Sequence, residues 1–169
     1  MPVNYSSLLT SSANWTFIAS AAPSAVASAS LTGISGYKKL KVVAYLGGSS
    51  QSGNFYVQFN SDTGSNYHGG AWGVSQYMSS SVSASSSSTS ILLTTGGATY
   101  GSFSFEIENA NSTSVFKDLN GAAIYQGTPN YGAQNFGVWR STSAITSIQI
   151  GNSAAGSTIT GNIYLLGQN

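Results

Sequence analysis

Phe103-Ser104-Phe105-Glu106-Ile107-Glu108 alternates apolar and polar residues without a break. A period of two sends successive side chains to opposite faces of an extended chain. Phe103, Phe105 and Ile107 therefore share one face of a strand, and both carboxylates share the other. Ile145-Thr146-Ser147-Ile148-Gln149-Ile150 carries a shorter version of the pattern, and Asn54 to Phe59 groups Phe55, Val57 and Phe59. Thr158 to Leu166 reads as a final strand with Ile159, Ile163 and Leu165 on one face. Lys38 to Leu46 begins charged and turns wholly apolar, the pattern of a central strand running from a wet end into a core. Further strands are predicted at Asn14 to Ala19, Gly73 to Met78, Ser90 to Thr95, Ser114 to Leu119 and Gln134 to Ser141.

Between these runs stand turn formers: Gly47-Gly48-Ser49-Ser50, Asp62-Thr63-Gly64-Ser65-Asn66, Gly96-Gly97, Asn120-Gly121 and Pro129-Asn130-Tyr131-Gly132. Glycine tolerates positive φ, and Asn or Asp closes local hydrogen bonds. About ten short strands at intervals of roughly 8 to 15 residues predict an all-β chain, a single-domain antiparallel β-sandwich of jelly-roll type. Residues 1–36 read as an N-terminal arm with the first strand or strands, a segment for attachment or packing, and residues 37–169 as the sandwich proper. Only Ala19 to Ser30, rich in alanine and serine and broken by Pro23, offers a turn or two of helix. The second serine-rich tract, Ser79 to Ser90, reads as a long surface loop; the alternative is a strand lying flat against another subunit.

Composition narrows the function. The 169 residues carry Lys+Arg 5 and Asp+Glu 4, so charged residues are 5% of the chain and the formal net charge is +1. So few cations cannot neutralise a run of phosphates, which argues against nucleic acid or an anionic membrane as partner. Aromatic residues at 12% and apolar residues at 41% are far from a disordered profile. With no cysteine there is no disulfide framework, thiolate zinc site or cysteine nucleophile. Met1 to Tyr5 has neither a basic n-region nor an apolar h-region, which predicts synthesis in the cytoplasm without a signal peptide. The sequons at Asn4, Asn14 and Asn111 are then chance matches.

Chemistry has few places to live. Glu106 and Glu108 lie about 7 Å apart on one strand face, a spacing a glycosidase could use, but two acids in such a pattern are ordinarily a solvent face. Asp118, before Leu119-Asn120-Gly121, reads as a turn residue. His68, the only histidine, reads as a loop residue, and no nucleophile-elbow motif accompanies it. Asn60 to Asn66 resembles an oxygen-rich calcium loop but holds one carboxylate, so a turn is the better reading. No catalytic residue, cofactor or metal is predicted. Lys38, Lys39 and Lys41 form the only basic cluster, either a solvated strand start or a docking patch for an acidic neighbour. Arg140, beside Trp139, could stack on an aromatic ring or pair with Glu106 or Glu108. Tyr67, Trp72, Tyr77, Tyr125 and Tyr131 fall in turn-rich stretches where surplus aromatics are expected at the surface. Lys38, Lys39, Lys41, Trp72, Tyr77 and Tyr131 are the interface candidates.

The order of several short motifs resembles a recurring module of tailed-bacteriophage virion proteins. They are Tyr37-Lys38-Lys39-Leu40-Lys41-Val42, Phe59 to Tyr67, Phe103 to Asn109, Trp139 to Ile148 and Ile163-Tyr164-Leu165-Leu166-Gly167. The resemblance spans about residues 37 to 167. It implies a jelly-roll β-sandwich assembled, often as trimers, on the outer surface of the particle. The expected function is a capsid cement or decoration protein whose partner is the major capsid protein or another virion protein. The alternative is a tail-fibre or spike head that binds host glycan.

Overall fold

The computed structural model describes residues 15–48, 53–75, 80–95, 98–126 and 131–169. Twelve strands form two antiparallel sheets packed as a sandwich, a single domain of jelly-roll-like type, and no helix occurs among the described residues. They are β1 (Thr16–Ala21), β2 (Ser28–Thr32), β3 (Lys39–Gly48), β4 (Phe55–Phe59), β5 (Tyr67–Ser75) and β6 (Ser80–Ser88). They continue with β7 (Ile91–Leu92), β8 (Tyr100–Glu108), β9 (Lys117–Gln126), β10 (Tyr131–Trp139), β11 (Ser147–Asn152) and β12 (Ile159–Gln168). The large sheet has eight strands in the order β1-β12-β3-β8-β9-β10-β5-β6, and the small sheet has four in the order β2-β11-β4-β7.

Where one face alone is apolar, the alternation sets the inner face directly. Phe103, Phe105 and Ile107 of β8 are buried, as are Phe55, Val57 and Phe59 of β4 and Ile159, Ile163 and Leu165 of β12. Each such side chain removed from water contributes about 1.5–3 kcal/mol. The rings of Phe55 and Phe103 meet across the two sheets at 5.0 Å. At one end of the core Phe59, Tyr67 and Trp139 pack together, with ring centroids 5.6 to 6.3 Å apart. Near the other end Tyr125 stacks on Tyr131 at 5.4 Å.

Several expectations are corrected. Ala19 to Ser30 makes no helical turn: it is divided between β1, which pairs with β12, and β2, which pairs with β11. Pro23 and Ala25, the latter at φ 52, form the corner between them. Within the described part of the 1–36 segment, β1 and β2 are the first strands of the two sheets; residues 1–14 lie outside the described part. The Ser79 to Ser90 tract is not a loop. Its residues from Ser80 to Ser88 pair with β5 along the edge of the large sheet, because a ladder needs only backbone groups and a partner. The strands expected at Gly73 to Met78 and Gln134 to Ser141 are displaced towards the N-terminus as β5 and β10, and Asp118 lies within β9.

Asn120-Gly121 is likewise no turn but the middle of β9, where Gly121 faces Phe105. A Cβ on Gly121 would collide with Phe105 Cβ and the Ser104 carbonyl, atoms that cannot move without displacing β8. We expect Gly121→Val to cost about 3 kcal/mol or more, at the upper end for overpacking in a filled interior. A urea denaturation midpoint equal to wild type would refute that account.

Candidate interaction surface

The large sheet has a second face, turned away from the small sheet, and its residues follow from the register. One row runs Tyr164, Val43, Ser104, Ala122, Gln134, Trp72, Val82 across β12, β3, β8, β9, β10, β5 and β6. The next runs Asn162, Tyr45, Ser102, Ile124, Gly132, Val74, Ser80. Of the thirteen large hydrophobic side chains exposed among the described residues, ten lie on this face; the others are Val26, Val115 and Phe116. Ile124 is 74% exposed and Val82 65%.

Eight strands at ~4.8 Å and about nine residues at ~3.3 Å give a face of roughly 1,100 Å². That exceeds the ~800 Å² each partner contributes to a standard protein interface. Small residues between large ones give the face relief. Ser102, Ser104 and Ala122 floor a hollow of about 340 Å³ walled by Val43, Tyr45, Ile124 and Tyr164.

The outer face of the small sheet is different in kind. It carries Ser28, Ser30, Thr32, Gln58, Ser147 and Gln149 beside Tyr56 and Leu92, and Gln149 Nε2 donates to Ser28 Oγ at 2.8 Å. Among the described residues the exposed large hydrophobic side chains therefore gather on the large sheet.

Charge collects at one end of the large face. Lys39 Nζ lies 2.7 Å from Glu108 and Lys41 Nζ 3.0 Å from Glu106. Lys41 also lies over the Trp15 ring at 5.6 Å. The Glu108 carboxylate raises the pKa of Lys39 by hydrogen bond and by charge, against a smaller desolvation effect. Such exposed pairs add little stability. Two of the three lysines, and with them Glu106 and Glu108, are matched within the sheet. Lys38 is exposed and precedes β3, its N–H donating to the Gln168 carbonyl.

The remaining candidates separate into surface and interior. Trp72 is half-exposed on the large face. Tyr67 and Tyr125, expected at the surface, are buried, and Tyr131 is held against Tyr125 on the inner side. Each buried hydroxyl has a partner on the opposite layer, which is why burial is tolerated. The Tyr67 hydroxyl accepts from the Phe59 N–H at 2.9 Å, and the Tyr125 hydroxyl accepts from the Thr95 N–H at 2.9 Å and donates to the Thr95 carbonyl at 2.7 Å. Burial pushes both phenols above their ordinary pKa. Tyr77 lies outside the described residues.

The calcium-like loop closes on itself. Asp62 accepts from Trp139 Nε1 at 2.7 Å, Asn66 Nδ2 at 2.9 Å and the Gly64 N–H at 2.8 Å. Three N–H groups aimed at one carboxylate are the reverse of a cation site. Among the described residues no group of three His, Cys, Asp or Glu is placed to hold a metal. Arg140 reaches the Ser65 carbonyl at 3.4 Å rather than Glu106 or Glu108. His68 lies in β5, not a loop, with Val138 and then Asp118 beyond it in register. Two strand spacings, about 10 Å, separate His68 from that acid.

Burial raises the Asp62 pKa, but the hydrogen bonds led by Trp139 outweigh it and hold the carboxyl below its ordinary value. The unfolded chain therefore binds this proton more readily. The carboxylate's stabilisation is complete well above the unfolded value near 3.9 and is lost as pH falls through the folded value. We expect wild type to lose more stability than Asp62→Asn between pH 6 and pH 3, measured by urea midpoints; equal losses would remove Asp62 from the account.

Lys117 escaped the sequence reading. It is fully buried in β9, and its ammonium donates to the carbonyls of Ser112, Val115 and Thr142 at 2.7, 2.9 and 3.0 Å. Desolvation lowers its pKa. The signal was present in Lys117-Asp118-Leu119: in a strand, burying Leu119 turns Lys117 to the same inner face.

No protein-family model matches the chain, and comparison with curated proteins finds no match either.

Proposed function

We propose that this chain is a non-catalytic virion structural protein, a cement or decoration protein that seats the outer face of its eight-stranded sheet on the shell of a bacteriophage head. The observation carrying the reading is the gathering of ten exposed apolar side chains on that one face, beside an almost uncharged sequence. Low charge lessens the desolvation penalty when such a surface is covered. The motif order of residues 37 to 167 supplies the kind of particle, and the face supplies the means of attachment. The alternative, a fibre or spike head binding host glycan, draws on Trp72 with Gln134 opposite it in the ladder. Protein burial suits the surroundings of Trp72 better, because Val74, Val82, Ala122 and Gly132 offer a sugar few hydrogen-bonding groups.

Quantitative mass spectrometry and a density map of the particle that encodes the chain test this. The expected result is a copy number comparable to the shell protein, with the sandwich seated large face down. A few copies at the tail tip would favour the glycan reading, and absence from purified particles would refute both.

A further inference from the structure

The two sheets have four edges, and three are blunted. β1 is interrupted by a register shift between Phe17 and Ala19, β7 has two residues, and β2 has five, followed by Gly33 at φ 75. The fourth, β6, is nine residues long and ends the large sheet, with a partner among the described residues on one side only. Its pairing with β5 is regular from Ser80 to Ser85, and the irregularity is confined to the far end, where Ser87 N–H turns to Ser85 Oγ. Lysine, proline and inward charge are the usual protections of such an edge, and Ser80-Ser81-Val82-Ser83-Ala84-Ser85-Ser86-Ser87-Ser88 has none.

We propose that β6 pairs antiparallel with β6 of a second copy, joining two large sheets into one of sixteen strands. A second copy is the occupant the chemistry favours. An isologous contact sets the same strand against itself, so an edge carrying one sign of charge repels its copy, and no charged residue occurs between Asp62 and Glu106 in the sequence. The residues of β6 are serine and alanine apart from Val82, so the paired residues meet without steric conflict. Antiparallel neighbours in a sheet are related by a two-fold axis normal to it, which keeps both apolar faces on the same side. Full overlap of the nine residues centres the axis on Ala84, so Val82 of each copy lies opposite Ser86 of the other. Two coplanar faces make attachment bivalent, which can strengthen binding by about 10²–10⁴ without a new kind of contact. The pairing holds whatever surface the large face meets.

Sedimentation equilibrium on the full chain tests the proposal. Wild type is expected to form a dimer, and Ala84→Lys, which sets two ammonium groups close to the axis, to weaken it at least tenfold while its circular dichroism stays native. A nitroxide on Ala84→Cys, clean because the chain lacks cysteine, should report a shorter distance between copies than one on Ser30→Cys of the small sheet. A monomer at sub-millimolar concentration, a trimer, or a dimer indifferent to Ala84→Lys would overturn the proposal. None of those results bears on shell attachment, because all of them are read on the free chain in solution.

Discussion

Trp139→Ala is expected to lose about 5 kcal/mol of stability, enough to leave much of the chain unfolded at 37 °C. Two contributions combine. Truncating a buried tryptophan packed against Phe59 and Tyr67 costs about 3–5 kcal/mol through lost transfer energy and the cavity left behind. Losing the indole N–H from Asp62 removes a hydrogen bond to a charged group, about 1.5–3 kcal/mol. The sum approaches the whole stability of an ordinary domain, about 5–15 kcal/mol. Trp139→Phe keeps most of the packing and should lose roughly half as much. Chemical denaturation of the two variants separates the contributions; an Ala variant within 1 kcal/mol of wild type would show that this end of the core does not hold the sheets together.

The second large effect concerns association. Ile124→Lys places an ammonium in the middle of the apolar face at a position already 74% exposed. The folded monomer should hardly notice, since substitutions at exposed sites shift stability by about 0.5 kcal/mol. When the face is covered, the charge is buried without a partner, which costs several kcal/mol. Shell binding should therefore fall by about 100- to 1,000-fold, at roughly 1.4 kcal/mol per decade. Trp72→Ala should cost about 2 kcal/mol, the scale of a central aromatic anchor. If Trp72→Ala abolishes attachment while Ile124→Lys leaves it intact, the contact is local to the tryptophan and the glycan reading gains.

The sequence disclosed those strands whose two faces differ in polarity. β8 and β4 were legible because one set of alternate residues is apolar and the other is not. The interaction face was hidden for the same reason in reverse. Val42 to Leu46, Ala122 to Tyr125 and Ile163 to Leu166 are unbroken apolar runs, which periodicity reads as strands covered on both sides. They are covered on one side among the described residues, so the uninterrupted run itself was the sign of an exposed apolar face. Trp72, singled out on its residue type, is exposed on the outer face of the large sheet. Tyr131 was misassigned because the register within the sheet, which turns Gly132 outward and Tyr131 inward, is set by distant ladders. Tyr67 and Tyr125 were misassigned because their hydroxyl partners, Phe59 and Thr95, lie on segments that only the folded chain brings near. The serine tract gave no side-chain signal because β5 supplies the ladder that makes it a strand.

The placing of the tryptophans makes the protein its own optical probe. Trp139 is sealed in the core, Trp15 is partly shielded beside Lys41, and Trp72 stands out on the apolar face. Emission from the free chain should divide into a fraction open to acrylamide quenching and a fraction closed to it. Docking through the large face would shift Trp72 from the first to the second, so attachment could be timed in a stopped-flow instrument without adding a dye.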